Sequence, residues 1–328
     1  MDAQQQQPRE ISARQASENA CPEHPLIDIR EPFECIAGKP VGAVFMEAGE
    51  LLDKCSSDER FARAGGAVLC AEGVRSLKLV DDLRRRGFGR FSSVAGGMLA
   101  WLAAGLPVVE SADLKHDQLE RYARHLVMPQ VGLKGQRKLL DSRVLLAGVG
   151  GLNSPAAMYL AAAGVGTLGL LDDDRVERSN LQRQVIHGES SLQLPKTESA
   201  ARRLADINPE TRIELLNERV CERNAAGIVQ GWNVVVDGTD NFPARYALNE
   251  ACARQGIPLV YGAVMRFQGQ VSVFDPGRDE ASPCFRCLMP EAPPEGATAS
   301  CSEAGVLGVM PGIIGTLQAA EALKLLLG

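Results

Sequence analysis

Several kinds of function are argued against by what this 328-residue sequence lacks. It has no surplus of positive charge: 35 Lys and Arg stand against 41 Asp and Glu, a net charge of −6 with a pI near 5.4. That balance leaves no electrostatic footprint for nucleic acid or an anionic membrane surface. No apolar run approaches the ~20 residues of a membrane span. The opening MDAQQQQPRE is polar and lacks the apolar stretch of a secretory signal. Nine cysteines, scattered and odd in number, do not form a disulfide framework, so the expected location is a reducing cytoplasm. Each cysteine is then a packing residue, a metal ligand or a nucleophile. No internal repeat is evident.

What is present is enough chain for two domains, 45% hydrophobic and 23% charged. Residues 1–20 read as a disordered polar lead-in. From 21 to 110 short strands (HPLIDIRE, GGAVLC, RFSSVAGG) alternate with helical stretches (SLKLVDDLRRRGF, MLAWLAAG), which predicts a small parallel α/β unit. Residues 111–116 read as a linker. From 117 to 328 a larger α/β pattern follows: LERYARHLVMPQVG as helix, SRVLLAGVGG as a buried strand entering a glycine turn, PAAMYLAAAGV as helix, TLGLLDDD as strand. NVVVDGTDN and PLVYGAV repeat the strand form, and IIGTLQAAEALKLLL closes as a helix.

The turn VLLAGVGG puts glycines where a strand becomes a helix, a place where backbone can approach a phosphate and a helix N-terminus offers free N–H groups. Asp172 ends the next strand, about twenty residues on, where a carboxylate can hold ribose hydroxyls. An NAD-dependent dehydrogenase would show much the same signal. Asn153, however, stands where the dinucleotide fingerprint wants its third glycine.

GVGGLNSP, LLDDDRVERSNLQRQ, PKTESA and DGTDN occur in that order and closely spaced. Together they resemble the MoeB/ThiF/HesA group, bacterial relatives of the ubiquitin-activating enzymes, over about residues 116–328. The resemblance implies a Rossmann-like α/β domain, usually a homodimer, that uses ATP with magnesium. It places Gly150 and Gly151 on the nucleotide phosphates and Asp172 on the ribose. The run Ser179, Asn180, Leu181, Gln182 and Arg183, with Lys196, falls to the triphosphate. Asp240 and Asn241 come beside the reacting phosphorus and the magnesium ion. Arg124 matches an arginine that reaches into the partner subunit's active site. Singly, Arg183 is also readable as a surface cation and Asp240 as a helix cap.

The resemblance implies adenylation of the C-terminal glycine of a ubiquitin-like sulfur-carrier protein ending in Gly-Gly. That carboxylate is ionised at neutral pH, its pKa being near ~3.5, so no general base is required and none is conspicuous. The reaction needs neutralised charge as a carboxylate approaches an anionic phosphate, and Arg183, Lys196, Arg124 and a magnesium ion on Asp240 would supply it.

Cys284 and Cys287 form a CxxC, the spacing with which two thiolates grip one zinc, but a structural zinc takes four ligands. Related enzymes supply a second CxxC, and this sequence stops at Gly328 without one. A truncated chain, a zinc-free remnant and a site completed from elsewhere all remain open, truncation being the expectation. Cys301, in the Gly- and Ala-rich ATASCSEAGVLGVMPG, matches a cysteine that takes part in sulfur or thioester transfer in some relatives, and also reads as an incidental loop residue. Cys35, Cys55, Cys221 and Cys252 read as packing.

LIDIREPFE, VLCAEGVRS and GFGRFSSVAGGMLAWLAAGLPV resemble a single rhodanese domain across about residues 10–110. That implies a persulfide on Cys70, held by the loop Cys70–Arg75 and the helix start behind it, with Arg75 as a fixed positive charge. The expected activity is therefore adenylation within molybdenum cofactor biosynthesis, followed by sulfur transfer from Cys70 to give a thiocarboxylate. The alternatives are a thiamine-pathway carrier, an NAD-binding oxidoreductase, and a scaffold that binds or transfers sulfur without adenylating.

Overall fold

Along the central strands alternate side chains enter opposite cores, and this period of two organises both halves of the chain. The computed structural model describes residues 7–31, 34–109, 114–278, 282–293 and 305–328. Two compact units divide at Leu133/Lys134, later than the 111–116 linker expected. The helices that follow the linker, His116–Arg121 and Ala123–Leu126, pack on the short turn Glu34–Ala37 and so belong to the first unit.

The first unit contains β1 (Glu10–Ile11), β2 (Leu26–Asp28), β3 (Lys39–Pro40), β4 (Val44–Phe45), β5 (Gly66–Leu69), β6 (Phe91–Val94) and β7 (Val108–Val109). Five of these form an all-parallel sheet in the order β1-β6-β5-β2-β4, and β3 pairs antiparallel with β7. Val68 and Cys70 join a core with Leu51, Cys55, Leu79 and Leu83, while Ala67 and Leu69 face Ala16, Met98 and Trp101. Helices therefore cover both faces, as a parallel sheet requires.

The disordered lead-in expected for residues 1–20 is corrected from residue 10 onward. Ile11 and Val94 pair in the sheet, and the helix Ala13–Asn19, capped by Ser12, buries Ala13 and Ala16. Two strand residues and two buried alanines are too little apolar signal to stand out in a polar segment.

The second unit contains β8 (Arg143–Ala147), β9 (Thr167–Leu171), β10 (Arg212–Leu216), β11 (Val234–Asp237), β12 (Leu259–Met265) and β13 (Gln268–Phe274). The order is β10-β9-β8-β11-β12-β13, parallel except for the final hairpin β12–β13. Leu145, Ala147 and Val235 face one core with the helix Phe242–Gln255; Val144, Leu146, Val234 and Val236 face the other with the helices Asn153–Ala162 and Lys196–Ile207. This is the strand order of dinucleotide-binding α/β folds, with the reversal between β8 and β11, the place where such sheets hold ligands. The Rossmann-like expectation is thereby met.

LERYARHLVMPQVG does not run as one helix. It breaks at Tyr122 and again before Gly132, because Pro129 withholds a backbone donor. The closing helix spans Val309–Leu327 and is long and apolar enough, by length and composition, to cross a membrane, contrary to the expectation of no such run. It lies against the helix Asn153–Ala162 and against β11, β12 and β13. Buried Gln318 on it donates to the carbonyls of Asp237 (2.8 Å) and Val260 (3.1 Å).

Candidate active site

A cleft of about 280 Å³ opens at the carboxyl ends of β8, β9 and β11. The glycine turn forms its floor. Gly148 has φ +81°, and a β-carbon there would come within 3.0 Å of the Gly238 carbonyl, so the turn crosses the end of β11 closely. Gly150 is different. A β-carbon on it would meet only the Gln184 amide at 3.6 Å, so the glycine leaves room in the cleft rather than easing packing. The helix Asn153–Ala162 starts just behind, and Gly150, Gly151 and Leu152 at its start line the cleft.

Asp172 lines the cleft beside the turn. Its carboxylate accepts the N–H of Val149 at 2.7 Å and of Asp174 at 2.8 Å. Burial pushes this carboxyl above the usual range, against the pull of Lys196 and those two N–H groups. Lys196 is itself buried, and its Nζ lies 2.7 Å from Asp174 Oδ2 and 3.8 Å from Asp172 Oδ1. Arg183 lines the cleft with its Nη1 donating to the Ser179 carbonyl at 3.1 Å. On the loop after β11, Asp240 is exposed, and Asn241 caps the helix Phe242–Gln255 by accepting the Ala244 N–H at 3.0 Å.

Gly150, Gly151, Asp172, Arg183, Lys196, Asp240 and Asn241 thus share one cleft. Ser179, Asn180, Leu181 and Gln182 do not line it. They make the turn that carries Arg183 and Gln184, whose N–H groups donate to the Asn180 carbonyl at 3.1 and 3.0 Å. Arg124 is exposed on a short helix of the first unit. Cys301 lies outside the described residues.

Carboxylate oxygens of Asp172, Asp173 and Asp174 come within 4.8 Å of one another, and Asp240 adds an exposed carboxylate to the same cleft. Hard oxygen donors of this kind suit magnesium. Cys284 and Cys287 fit zinc less well. Their sulfurs are 4.0 Å apart, close to the ~3.8 Å that two 2.3 Å zinc bonds subtend at a tetrahedral centre. Yet among the described residues no further His, Cys, Asp or Glu joins them, so they supply half of a structural site. Burial raises the Cys284 thiol, but backbone N–H groups of Cys287 and Arg286 and the Asn249 side chain outweigh it and hold the thiol lower than usual.

In the first unit, Cys70 directly follows β5 and is almost fully buried. Its sulfur accepts the Gly73 N–H at 3.2 Å, the Ser76 N–H at 3.3 Å and the Ser76 hydroxyl at 3.3 Å. Burial pushes the thiol up; those donors and the Glu72 N–H prevail and hold it below its ordinary value. Arg75 pairs with Glu34 at the loop's end. Cys55 and Cys252 are core residues whose thiols burial pushes up to about 11 and about 12. Cys35, pushed up to about 11 by burial and then by Asp28, is partly buried, and Cys221 is a half-exposed turn residue rather than packing.

The ThiF family model matches residues 122–328. The chain belongs to the ThiF family. Among its relatives, the SAMP-activating enzyme E1 of Haloferax volcanii is 52% identical over 210 residues, 64% of this chain and 76% of that one. The sulfur carrier protein adenylyltransferase of Thermus thermophilus is 48% identical over 214 residues, 65% and 79% of the two chains. The probable adenylyltransferase/sulfurtransferase MoeZ of Mycobacterium tuberculosis is 44% identical over 224 residues, 68% of this chain but 57% of MoeZ. Of solved structures, E. coli MccB with MccA-N7isoASN gives a TM-score of 0.56 at 22% identity, covering 63% of this chain and 64% of that one. E. coli TcdA in complex with ATP gives 0.51 at 25% identity, covering 65% and 96%. With these relatives, this ThiF-family chain is an adenylyltransferase.

Several residues around the cleft have no role assigned to them from the sequence, Asn153 and Gln184 among them although they stand within GVGGLNSP and SNLQRQ. Buried Asn153 donates its amide to the carbonyls of Ala147 (3.0 Å) and Gly148 (2.7 Å) and reaches Val236 at 3.4 Å, tying the turn to β11. A β-carbon at Gly238 would lie 2.7 Å from that amide, which explains the glycine there. Buried His187 donates from Nε2 to the Val149 carbonyl at 3.0 Å, so Nδ1 accepts the Ser199 hydroxyl at 2.9 Å. Burial holds its imidazole below the ordinary value, neutral beside the turn. Gln184 lines the cleft with a buried Oε1 that has no hydrogen-bond partner among the described residues. Arg245 lines it too, fixed by one bond from Nη2 to the Thr239 carbonyl at 2.8 Å and stacked 5.2 Å over the Tyr261 ring.

Proposed function

We propose that the chain adenylates the C-terminal glycine of a ubiquitin-like sulfur-carrier protein with ATP. The observation that carries this is the single cleft at the strand-order reversal, where open space beside Gly150, a helix N-terminus, Arg183 and Lys196 meet the acidic loop at Asp240. The names of the Haloferax and Thermus relatives support the class of substrate.

In this reading the glycine turn and helix start receive phosphate, and Asp172 receives ribose. The carrier's carboxylate oxygen attacks the α-phosphorus, the bond to the β-phosphate oxygen breaks, and pyrophosphate leaves with the electron pair. Arg183 and Lys196 offset the charge that gathers on the phosphates, by position and electrostatics. Magnesium, when bound to Asp240, would supply further charge neutralisation at the phosphates. Arg124 completes the site from a second copy in a homodimer. The two thiols at Cys284 and Cys287 do not complete a zinc site among the described residues, and no step is assigned to zinc.

A second stage extends the reading. The Cys70 cradle, which favours an anionic sulfur, supports a rhodanese-like front domain that carries a persulfide. The outer sulfur attacks the acyl carbon and expels AMP. A second thiolate, Cys301 in this reading, then attacks the Cys70 sulfur, forming a Cys70–Cys301 disulfide as the thiocarboxylate leaves with the electron pair of the broken sulfur–sulfur bond. The molybdenum cofactor carrier is the proposed substrate and the thiamine carrier the alternative. Asn153 in place of the third glycine weighs against NAD chemistry.

The test is ATP–pyrophosphate exchange with each candidate carrier, using carriers with and without the terminal Gly-Gly. Exchange that needs an intact Gly-Gly and disappears in Asp240→Ala supports the proposal. Tight NAD(H) binding with no carrier-dependent exchange overturns it.

A further inference from the structure

Behind the Cys70 loop two buried hydroxyls touch: Ser76 Oγ and Ser93 Oγ are 2.9 Å apart, and neither side chain is exposed. Each carries one proton to donate. Ser76 Oγ has three acceptors in reach: the Gly73 carbonyl at 3.0 Å, Cys70 Sγ at 3.3 Å and Ser93 Oγ. Ser93 Oγ has two: Ser76 Oγ, and the same Gly73 carbonyl at 3.4 Å. Two protons must therefore be shared among competing oxygens and one sulfur.

While the sulfur is a neutral thiol, the carbonyl is the nearer and better acceptor, so the Ser76 proton rests on Gly73. Once the sulfur has lost its proton to solvent, a charge-assisted bond from Ser76 is the stronger one. Ser76 can turn to the sulfur at little loss only if another donor serves the oxygens it leaves. Ser93 is placed for that, donating to Ser76 Oγ or to the Gly73 carbonyl. We propose that Ser93 is a positioning residue for Cys70, completing a two-hydroxyl switch that stabilises the anionic sulfur without touching it. This rests on the reading of Cys70 as the sulfur carrier and deepens it.

The surrounding charges stay in place when Ser93 is substituted, the electrostatic contact of Arg75 with Cys70 among them. Arg75 is the cation on the loop and is already paired with Glu34; Glu72 is exposed. β6 and the helix Gly97–Ala103 have no titratable side chain, β2 contributes Asp28 paired to Arg30, and the helix Ala48–Ser57 brings the Cys55 thiol, pushed up to about 11.

The experiment is a titration of thiolate ultraviolet absorbance, taken as the difference between the full chain and its Cys70→Ser variant. The parent is expected to titrate below the ~8.5 of a free thiol. In Ser93→Ala the midpoint should rise by about half a unit to one unit, the effect of one net hydrogen bond. Ser93→Thr keeps the hydroxyl and should titrate like the parent. Ser92→Ala is the structural control: it loses a buried bond to the Pro8 carbonyl (2.6 Å) on the same strand, away from the sulfur, and should not move the midpoint. An unshifted Ser93→Ala beside a low parental midpoint overturns the switch alone, and an equal shift in Ser92→Ala does so too. A parental midpoint at or above that of a free thiol overturns the reading of Cys70 itself.

Discussion

Lys196 and Asp174 form the tightest ion pair in the cleft, Nζ to Oδ2 at 2.7 Å, with Asp172 Oδ1 a further 3.8 Å contact of the same ammonium. In the proposed reading a polyphosphate entering the cleft would compete with Asp174 for this cation, and the pair would act as a latch that substrate opens. Lys196→Met should reduce carrier-dependent pyrophosphate exchange by about a hundredfold or more, the usual effect of deleting one preorganised charge. Asp174→Asn should retain most of the activity. Equal losses in the two variants would refute the latch.

Asn153→Gly restores a dinucleotide-type glycine and should nevertheless weaken the site. It deletes the amide that fastens Ala147 and Gly148 and leaves a void against Gly238. Calorimetry should show ATP affinity down by about tenfold or more, the loss of one or two net hydrogen bonds, and no gain in NAD binding.

Asp237 gives a pH signature. Its carboxyl is fully buried and lies above its ordinary 3.8, chiefly through burial, which Arg245 and Thr239 only partly oppose. Oδ1 accepts two bonds from Thr239 while Oδ2 has no hydrogen-bond partner among the described residues. The folded chain therefore binds this proton more tightly than the unfolded one, and this residue's contribution to stability falls as pH rises from 3.8 through the raised folded value. Asparagine keeps the Thr239 bonds and cannot ionise. Asp237→Asn should gain on the parent as pH goes from 4 to 7 in urea unfolding, and a difference independent of pH would contradict this.

Two glycines should respond oppositely to alanine. At Gly97, with φ +55°, a β-carbon would sit 2.2 Å from the Cys70 carbonyl and 2.7 Å from the Gly73 nitrogen. Gly97→Ala should destabilise the first unit by about 2 kcal/mol or more. Gly150→Ala meets no close protein atom, so it should leave stability within about 0.5 kcal/mol while blocking ATP. Chemical denaturation and nucleotide titration of both variants check the pair.

The strand–turn–helix frame was legible because VLLA, TLGLL and VVVD are short apolar runs closed by glycine or acid, and such runs mark buried parallel strands. Cleft residues borne by motifs were legible on the same ground. Their supports were not. Asn153 looked like a defect in a glycine pattern, and only the sheet shows its amide spanning β8 and β11. Ser93 and Gln184 are polar residues to which the sequence attaches no role, Gln184 even within SNLQRQ, and what they do depends on a partner 17 positions away or on a cleft that exists only after folding. The family resemblance assigns SNLQ to the triphosphate; in the fold these four residues do not line the cleft, and the Asn180 carbonyl holds the turn that carries Arg183.

The pairing of Glu10 and Ile11 with β6 has a practical side. Trimming up to residue 12 would strip the outermost strand and free the Ser93 and Ala95 N–H groups, which donate to the Arg9 and Ile11 carbonyls, along one side of β6. An edge left bare in that way invites strands from other copies, so aggregation of such a product would report a lost edge rather than an unstable core.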